Sequence, residues 1–239
     1  FGMKKSNAAP LAAQDALTHI SQAHGQTETI TYQCRLITHM YGGGVEAGTV
    51  DTTMPIRATA IRGQLREWWR RLNRKHHANT KKLFEAERAI WGGLGDADTL
   101  AASKVRVVVQ PMGHLDPKTS KFAVKQGDPE HYALFAAAEQ RGGPNQRPAA
   151  HLLVPPYAFR LVLHLDQALA QSGHKKEVLD AVRWWATFGG VGARTRRGCG
   201  AVVVKDEKNN LVCVNEQEVA TQGWKLVLRG GTVDAEAAW

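Results

Sequence analysis

Residues Phe188–Val202 read FGGVGARTRRGCGAV, a stretch with five glycines and three arginines but no acidic residue. Glycine adopts backbone conformations that are closed to other residues and lets a ligand come close to the main chain. Arginine presents forked donors that match phosphate oxygens, and successive amides in tight turns form anion-binding nests. The stretch therefore predicts a phosphate-binding loop, with a mobile, solvated surface loop as the alternative.

The absence of two nucleotide-binding motifs limits which phosphate-containing ligand the loop is expected to bind. A nucleotide P-loop requires Gly-x-x-x-x-Gly-Lys-Ser/Thr, which occurs nowhere in the chain. A dinucleotide fingerprint follows a strand and opens a helix, whereas this loop follows a predicted helix. It also has Thr195 where the third glycine should follow Gly190 and Gly192. Contact with the backbone of a polyanion is favoured over binding of a mononucleotide.

The distribution of charge indicates the same class of partner. The 239 residues carry a net charge of +9 at pH 7. Eight lysines and arginines but one acid fall within Arg62–Lys82, and Arg194–Lys205 adds four basic residues and no acidic one. A nucleic acid is therefore the expected partner, and an anionic membrane surface is the weaker alternative.

The cysteines and the apolar segments indicate whether the protein is reduced or oxidised and whether it enters a membrane. Cys34, Cys199 and Cys213 are an odd number without the spacing of metal ligands. No apolar segment is long enough for a signal peptide or a membrane span. We therefore expect a reduced, cytoplasmic protein that has no metal site, needs no cofactor and does not enter a membrane.

Hydrophobic periodicity predicts an α+β chain. Alternating apolar residues predict strands at 29–38, 104–110 and 157–165, and a continuous apolar run predicts a fourth at 201–204. A 3.6-residue period predicts helices at 60–74 and 175–188. The order strand, helix, strand, strand, helix, strand is that of the ferredoxin-like split βαβ fold of RNA-recognition modules, which has an antiparallel sheet. The glycine-rich loop then follows the second helix. We expect an N-terminal tail at 1–28 and one domain at 29–239 with an insertion at about 111–156.

The helix at 60–74 combines an apolar face with a basic face. The apolar face falls within an arc of about 100° and is expected in the core; it consists of Ile61, Leu65, Trp68, Trp69 and Leu72. Exposed tryptophans that stack on bases are the alternative. The other side carries Arg62, Arg66, Arg70 and Arg74. Gly63 costs about 1 kcal/mol relative to alanine inside a helix, which we expect where another group packs closely on the first turn.

Three segments resemble the RAMP superfamily of CRISPR proteins, namely Gly42–Gly44, the string PIRATAIRGQLREWWRRL at Pro55–Leu72, and the glycine-rich loop Gly189–Gly200. The long string is most similar to the first subunit of the Cmr (type III-B) effector complex, whereas the loop is typical of the whole superfamily. The resemblance implies a ferredoxin-like fold, binding of CRISPR RNA or its duplex with target RNA, and docking on other subunits of a type III effector complex in antiviral defence.

Two features depart from the family. Cys199 stands where the superfamily usually has a bulky aromatic residue, and the chain is short for a subunit that commonly carries a second ferredoxin-like module. Carried onto this sequence, the likeness and the basic pattern give a set of expected RNA-binding residues. They are Arg57, Arg62, Arg66, Arg70, Gly190, Gly192, Arg194, Arg196 and Arg197.

We expect a binding subunit without catalytic residues, and a metal-assisted or acid–base endoribonuclease of the same superfamily is the main alternative. Backbone subunits of the superfamily cleave target RNA with an acidic residue in the loop after the first strand, where Asp51 lies. Other members cleave precursor RNA with a histidine base, for which His39 is the candidate. Neither residue has a visible acid or base partner in the sequence. A general single-stranded RNA-binding module outside CRISPR is the third alternative.

Overall fold

The computed structural model describes residues 27–45, 48–95, 99–112, 117–123, 134–139 and 148–227. The predicted N-terminal tail lies outside these residues except for its last two positions, and so does much of the predicted insertion. The domain boundaries therefore stay a prediction.

The described residues form eight strands and five α-helices. The strands are β1 (Thr27–Leu36), β2 (Gly93–Leu94), β3 (Leu100–Ala101), β4 (Val105–Pro111), β5 (Thr119–Lys121), β6 (His151–Leu153), β7 (Ala158–Asp166) and β8 (Val202–Lys205). The helices are α1 (Ala58–Asn73), α2 (Thr80–Trp91), α3 (Gln167–Ala170), α4 (His174–Phe188) and α5 (Glu216–Thr221). None of these helices is both long enough and apolar enough to cross a bilayer.

The central sheet has four strands in the order β4-β7-β1-β8, and every neighbouring pair is antiparallel. Its register pairs Cys34 with Phe159 on one side and with Val204 on the other. Along β1, Cys34 and Leu36 are buried while Gln33 and Arg35 are exposed, because successive side chains of a strand point to opposite faces. The predicted mixed α/β architecture with an antiparallel sheet is confirmed.

Helices α1 and α4 cover one face of this sheet. Helix α1 buries Ile61, Leu65 and Trp69, and the Trp69 indole Nε1 donates a hydrogen bond to Glu177 Oε2 on α4 at 2.9 Å. These side chains share one core with the apolar face of the sheet and with Trp185 of α4. Burial of each large apolar side chain contributes about 1.5–3 kcal/mol, so this contact between helices and sheet dominates the stability of the fold.

Trp68 departs from the predicted core face, because it is only half-buried. The chain after β8 returns to this end of the two helices and forms a smaller cluster there with Leu72 and Trp184. Trp68 lies at its margin, with ring centroids 6.1 Å from Trp184 and 6.5 Å from Trp224. Trp68 thus packs against both the main core and the smaller cluster while part of it stays exposed.

Gly63 also differs from the expectation. No heavy atom of the described residues lies within 4 Å of a Cβ added at this position, except the helix's own backbone and its chain neighbours. The close packing expected on the first turns of α1 is therefore wrong for contacts within the described part of this chain.

The described part of the insertion forms a small layer of its own. Strands β5 and β6 pair through Ser120 and Leu152, and Phe122 packs with Ala137 and Ala150 in a separate cluster. Tyr41 packs against the same cluster, so this layer stands beside the segment that follows β1.

Candidate nucleic-acid interface

The glycine-rich loop starts at the end of α4 and is anchored there. The Gly189 amide donates to the Trp185 carbonyl at 2.7 Å, and the Trp185 indole Nε1 donates to the Gly190 carbonyl at 3.0 Å. Since Trp185 is fully buried in the main core, the first turn of the loop is fixed to the interior of the protein.

The loop then runs beside the segment that follows β1. The Ala193 amide donates to the Tyr41 carbonyl at 2.8 Å, and the Gly200 amide donates to the His39 carbonyl at 2.9 Å. The Thr38 hydroxyl donates a hydrogen bond to the Gly198 carbonyl at 2.6 Å. It accepts one from the amide of Ala201, just before β8, at 2.8 Å. These hydrogen bonds join two segments about 160 residues apart and hold the loop against the body of the protein.

Three glycines permit close backbone contacts, one between the loop and the segment after β1 and two within the loop itself. Gly192 has φ +78°, and a Cβ there would lie 2.6 Å from the Tyr41 carbonyl oxygen. At Gly190 a Cβ would lie 2.7 Å from the Gly200 carbonyl oxygen, and at Gly200 it would overlap the Val191 carbonyl oxygen. Side chains at these positions are excluded by the protein itself. The structure therefore gives Gly190 and Gly192 a packing role, and their predicted contact with RNA stays a prediction.

The arginines of the loop lie on its outer turn. Residues Thr195–Arg197 form a 3₁₀ turn in which Arg196 and Arg197 are exposed. Arg194 precedes the turn in the left-handed conformation, with φ 61°, and its guanidinium lies 5.1 Å from the ring centroid of Phe135. Two of the three arginines are thus free of burial, and the third is positioned over an aromatic ring.

Two adjoining clefts connect this turn with the beginning of α1. One, of about 270 Å³, lies between the Gly43–Gly44 turn, the first turns of α1 and the glycine-rich loop, and Arg57 is part of its wall. The other, of about 710 Å³, is lined by Arg194, Arg196 and Arg197. Gln64, Gly192 and Ala193 line both. We name the continuous depression the loop groove, and its polar and charged side chains are Arg57, Gln64, Arg194, Thr195, Arg196 and Arg197.

The N-terminus of helix α1 adds to the positive charge that the arginines give the loop groove. Helix α1 starts in its wall, with Arg57 as N-cap, no capping side chain and no acidic residue in the first turn. The exposed amides at a helix N-terminus carry about half a positive charge, which favours an anion there. Backbone and side chains of the groove therefore both favour an anion there.

The arginines on the basic face of α1 are engaged elsewhere. Arg66 Nε donates to Glu87 Oε1 at 2.6 Å, and Arg70 Nη1 donates to the same oxygen at 2.9 Å. Arg62 donates to the main-chain carbonyl oxygen of Trp91. Glu87 and Trp91 belong to α2, so these arginines fasten α2 to α1, and they do not line the loop groove.

The two candidates for catalysis have different surroundings. Asp51 Oδ1 accepts hydrogen bonds from the amides of Thr53 and Met54 at 2.9 and 3.0 Å, and its other oxygen lies 3.5 Å from Arg57. These amide donors, together with Arg57, hold the pKa of Asp51 below its usual range. The His39 side chain is exposed, while its carbonyl serves the glycine-rich loop. Asp51 is thus occupied in shaping its own turn and restraining Arg57.

Sequence reasoning missed some groove residues. Gln64 lies on α1 between the basic and the apolar faces, and only the folded structure shows that it joins the two clefts. Phe135 comes from the insertion, far from Arg194 in the sequence, and no local pattern marks the pair.

Fold and groove together define a mixed α/β protein whose helix-covered antiparallel sheet carries an arginine-bearing, glycine-rich loop over an electropositive groove. The profile of the RAMP superfamily matches residues 33–203. The chain therefore belongs to the RAMP superfamily, and the resemblance drawn from its motifs is confirmed.

Several solved structures are similar to this chain. A chain of a type IV-B CRISPR complex is 14% identical with a TM-score of 0.51, and the match covers 89% of this chain and 97% of the other. Cmr1 from Pyrococcus furiosus in its apo form is 20% identical with a TM-score of 0.49, over 82% of this chain and 53% of Cmr1. A chain of the type III-B Cmr-beta complex bound to cognate target RNA is 13% identical with a TM-score of 0.48, over 82% and 62%. This chain thus spans about half the length of Cmr1. No curated protein is significantly similar in sequence.

Proposed function

We propose that this chain is an RNA-binding subunit of a CRISPR effector complex of type III. It contacts CRISPR RNA or the duplex of guide and target, and it docks on other subunits of the complex. Membership of the RAMP superfamily supports this role. The observation that carries it is the loop groove, where Arg57, Arg196 and Arg197 converge from two distant segments on one electropositive depression.

The fold supports the same assignment at a finer level. The main elements occur along the chain in the order strand, helix, strand, strand, helix, strand, namely β1, α1, β4, β7, α4 and β8. With the sheet order β4-β7-β1-β8, we assign the ferredoxin-like split βαβ topology. In this topology the loop after α4 leads into an edge strand, so it lies next to the end of β1 and can carry a ligand site there.

Binding in the loop groove is electrostatic and sequence-independent on this proposal. Single-stranded RNA should show a slope of log affinity against log salt of about −0.7 for each phosphate that is neutralised. The four groove arginines then give about −3. Arg196→Ala with Arg197→Ala should reduce the steepness by about 1.4 without changing the melting temperature, because both side chains are exposed.

Fluorescence anisotropy of a labelled oligouridylate across a salt series measures the salt slope of the wild type and that of the variant. The matched control is Lys176→Ala with Lys225→Ala, which removes two exposed charges away from the groove. A salt slope that is the same in the arginine variant and the control would overturn the proposed site. Co-purification with a guide-loaded effector complex separates a complex subunit from a general RNA-binding module, which would bind RNA alone.

We further propose that this subunit binds RNA without cleaving it. Asp51 is held by Thr53, Met54 and Arg57, which leaves its carboxylate a structural role in the turn before α1. Asp51→Ala and His39→Ala should leave the rate and the positions of target cleavage by a reconstituted complex unchanged. Loss of an acid or base in proton transfer typically lowers a rate by about 10²–10⁴-fold, so one missing cut with intact RNA affinity would identify a nuclease.

A further inference from the structure

The face of the sheet opposite to the helices carries polar and basic side chains around three valines, Val108, Val162 and Val203. Its side chains are those that alternate with the core residues of each strand, as the register requires. The basic members are Arg35 on β1, Arg106 on β4, Arg160 on β7 and Lys205 on β8. We name this surface the open sheet face.

The register distributes these cations over the four strands, at different levels of the sheet. Gln33 pairs with Arg160 on one side and with Lys205 on the other, so Arg160 and Lys205 are separated by two strand spacings, about 10 Å. Arg106 pairs with His164, further along β7. Basic side chains therefore span all four strands.

Two depressions shape the open sheet face. A shallow one of about 340 Å³ is lined by Thr31, Gln33, Arg160 and Glu207. A larger one of about 930 Å³ lies at the β4 edge, where Lys104, Arg106 and His164 meet Arg62 from α1. Arg62, which does not line the loop groove, thus belongs to the rim of this second basic cleft.

Acidic residues on the same face are few and are placed at its margins. Asp166 ends β7 and accepts a hydrogen bond from the Ala168 amide at 2.9 Å, so its carboxylate caps the following helical turn. Glu207 lies in the exposed turn after β8. Burial, with help from Arg106, lowers the pKa of His164. The balance of charge favours an anionic occupant near neutral pH.

The composition of the face narrows that occupant. Stable protein interfaces have an apolar, aromatic-rich centre. The apolar side chains of this face are limited to small ones such as Val108, Val162 and Val203, and its described residues include no Phe, Tyr or Trp. RNA-recognition modules use the same face of the sheet for single strands, with aromatic residues that stack on the bases. Without such residues, this face fits the phosphate backbone and the polar edges of a single strand.

We propose that the open sheet face is a second single-stranded RNA-binding surface, in which Arg106 and Arg160 contact phosphates. The proposal rests on the proposed RNA-binding function and adds a site separate from the loop groove. It accounts for basic residues that the groove does not use, since Arg62, Lys104 and Arg106 line one cleft at the β4 edge of the sheet.

The test compares three variants of the full chain against a labelled oligouridylate over a salt series. The first is Arg106→Gln with Arg160→Gln on the open sheet face, the second is Arg196→Ala with Arg197→Ala in the loop groove, and the third combines all four changes. Each pair should reduce the steepness of the salt slope by about 1.4, and the combination by about 3. Lys176→Gln with Lys225→Gln is the matched control for two exposed charges, and unchanged melting temperatures exclude unfolding.

The outcomes separate the two proposals. An unchanged slope for the sheet variant together with a reduced slope for the groove variant overturns the second surface and leaves the groove standing. The reverse result overturns the groove and supports the open sheet face. If the sheet variant lowers RNA affinity no more than the lysine control does, the face has another use, and the proposal falls.

Discussion

Removal of Arg66 and Arg70 together distinguishes their observed structural role from the RNA contact predicted for them. Glu87 is 2% exposed, and both guanidinium groups donate to its carboxylate. Arg66→Gln with Arg70→Gln leaves this buried carboxylate without its two hydrogen-bonded cations. Breaking a buried ion pair by removing one side destabilises a protein by about 3–5 kcal/mol.

The lower end of that range applies here. The side chains of Arg66 and Arg70 are 25% and 40% exposed, so water already weakens both interactions, and Arg62 remains near the carboxylate. We expect a loss of about 3 kcal/mol in the free energy of unfolding. For a chain of this size, that corresponds to a fall of about 6–12 °C in Tm.

Urea denaturation followed by tryptophan fluorescence measures the loss. Adding Glu87→Gln to the double variant should recover most of it, because no buried charge then remains. Arg71→Gln is the matched control: its partner Glu67 is 43% exposed, and the change should lower stability by less than about 1 kcal/mol. If the double variant unfolds at the wild-type urea concentration but binds RNA more weakly, the structural assignment is refuted and the predicted RNA contact holds.

Three further changes test other parts of the structure. Trp68→Ala should lower the free energy of unfolding by about 2–3 kcal/mol, below the loss for a fully buried tryptophan, with Trp68→Phe retaining most of it in thermal melts. Gly63→Ala should raise stability by about 1 kcal/mol, because nothing within the described chain obstructs the new methyl group; a destabilised variant in urea titration would contradict this. The hydrogen bonds from Arg183 hold the pKa of Glu218 below its usual value. The pair therefore stabilises the fold fully at pH values above the usual pKa of glutamate, and this stabilisation is lost as the pH falls through the lowered pKa of the folded state. Glu218→Gln should therefore lose about 1 kcal/mol at neutral pH and little in acid, and an equal loss at both pH values would exclude the ion pair as the cause.

Local patterns in the sequence were sufficient to predict the main elements. The first strand was expected at 29–38 and lies at Thr27–Leu36, and the basic helix was expected at 60–74 and lies at Ala58–Asn73. These signals are local because alternation and 3.6-residue periodicity arise from neighbouring residues on one element. Superfamily membership followed from motifs for the same reason, since each motif is contiguous.

The partners of the charged and glycine residues could not be predicted in this way. The arginine spacing on α1 identifies a basic face, but Glu87, which pairs with Arg66 and Arg70, lies on another helix. Glycines in a loop indicate close approach without saying to what. Here the neighbour of Gly192 is the backbone of Tyr41, which is distant in the sequence. Long-range contacts therefore decided which predicted site residues line a common groove.

The two walls of the loop groove are linked through the segment after β1, and this linkage explains how a glycine-rich loop can position arginines. After β1, the segment containing Thr38 and Tyr41 accepts and donates the hydrogen bonds that hold the loop on one side. The same segment continues into the turn where Asp51 lies 3.5 Å from Arg57, at the start of α1 on the other side. On the proposed function, a phosphate in the groove would compete for Arg57 with the Asp51 carboxylate, which lies 3.5 Å from its guanidinium. On the same proposal, Gly192 would act on RNA binding through geometry: it lets the loop backbone lie against the segment after β1, and that contact places the arginine turn.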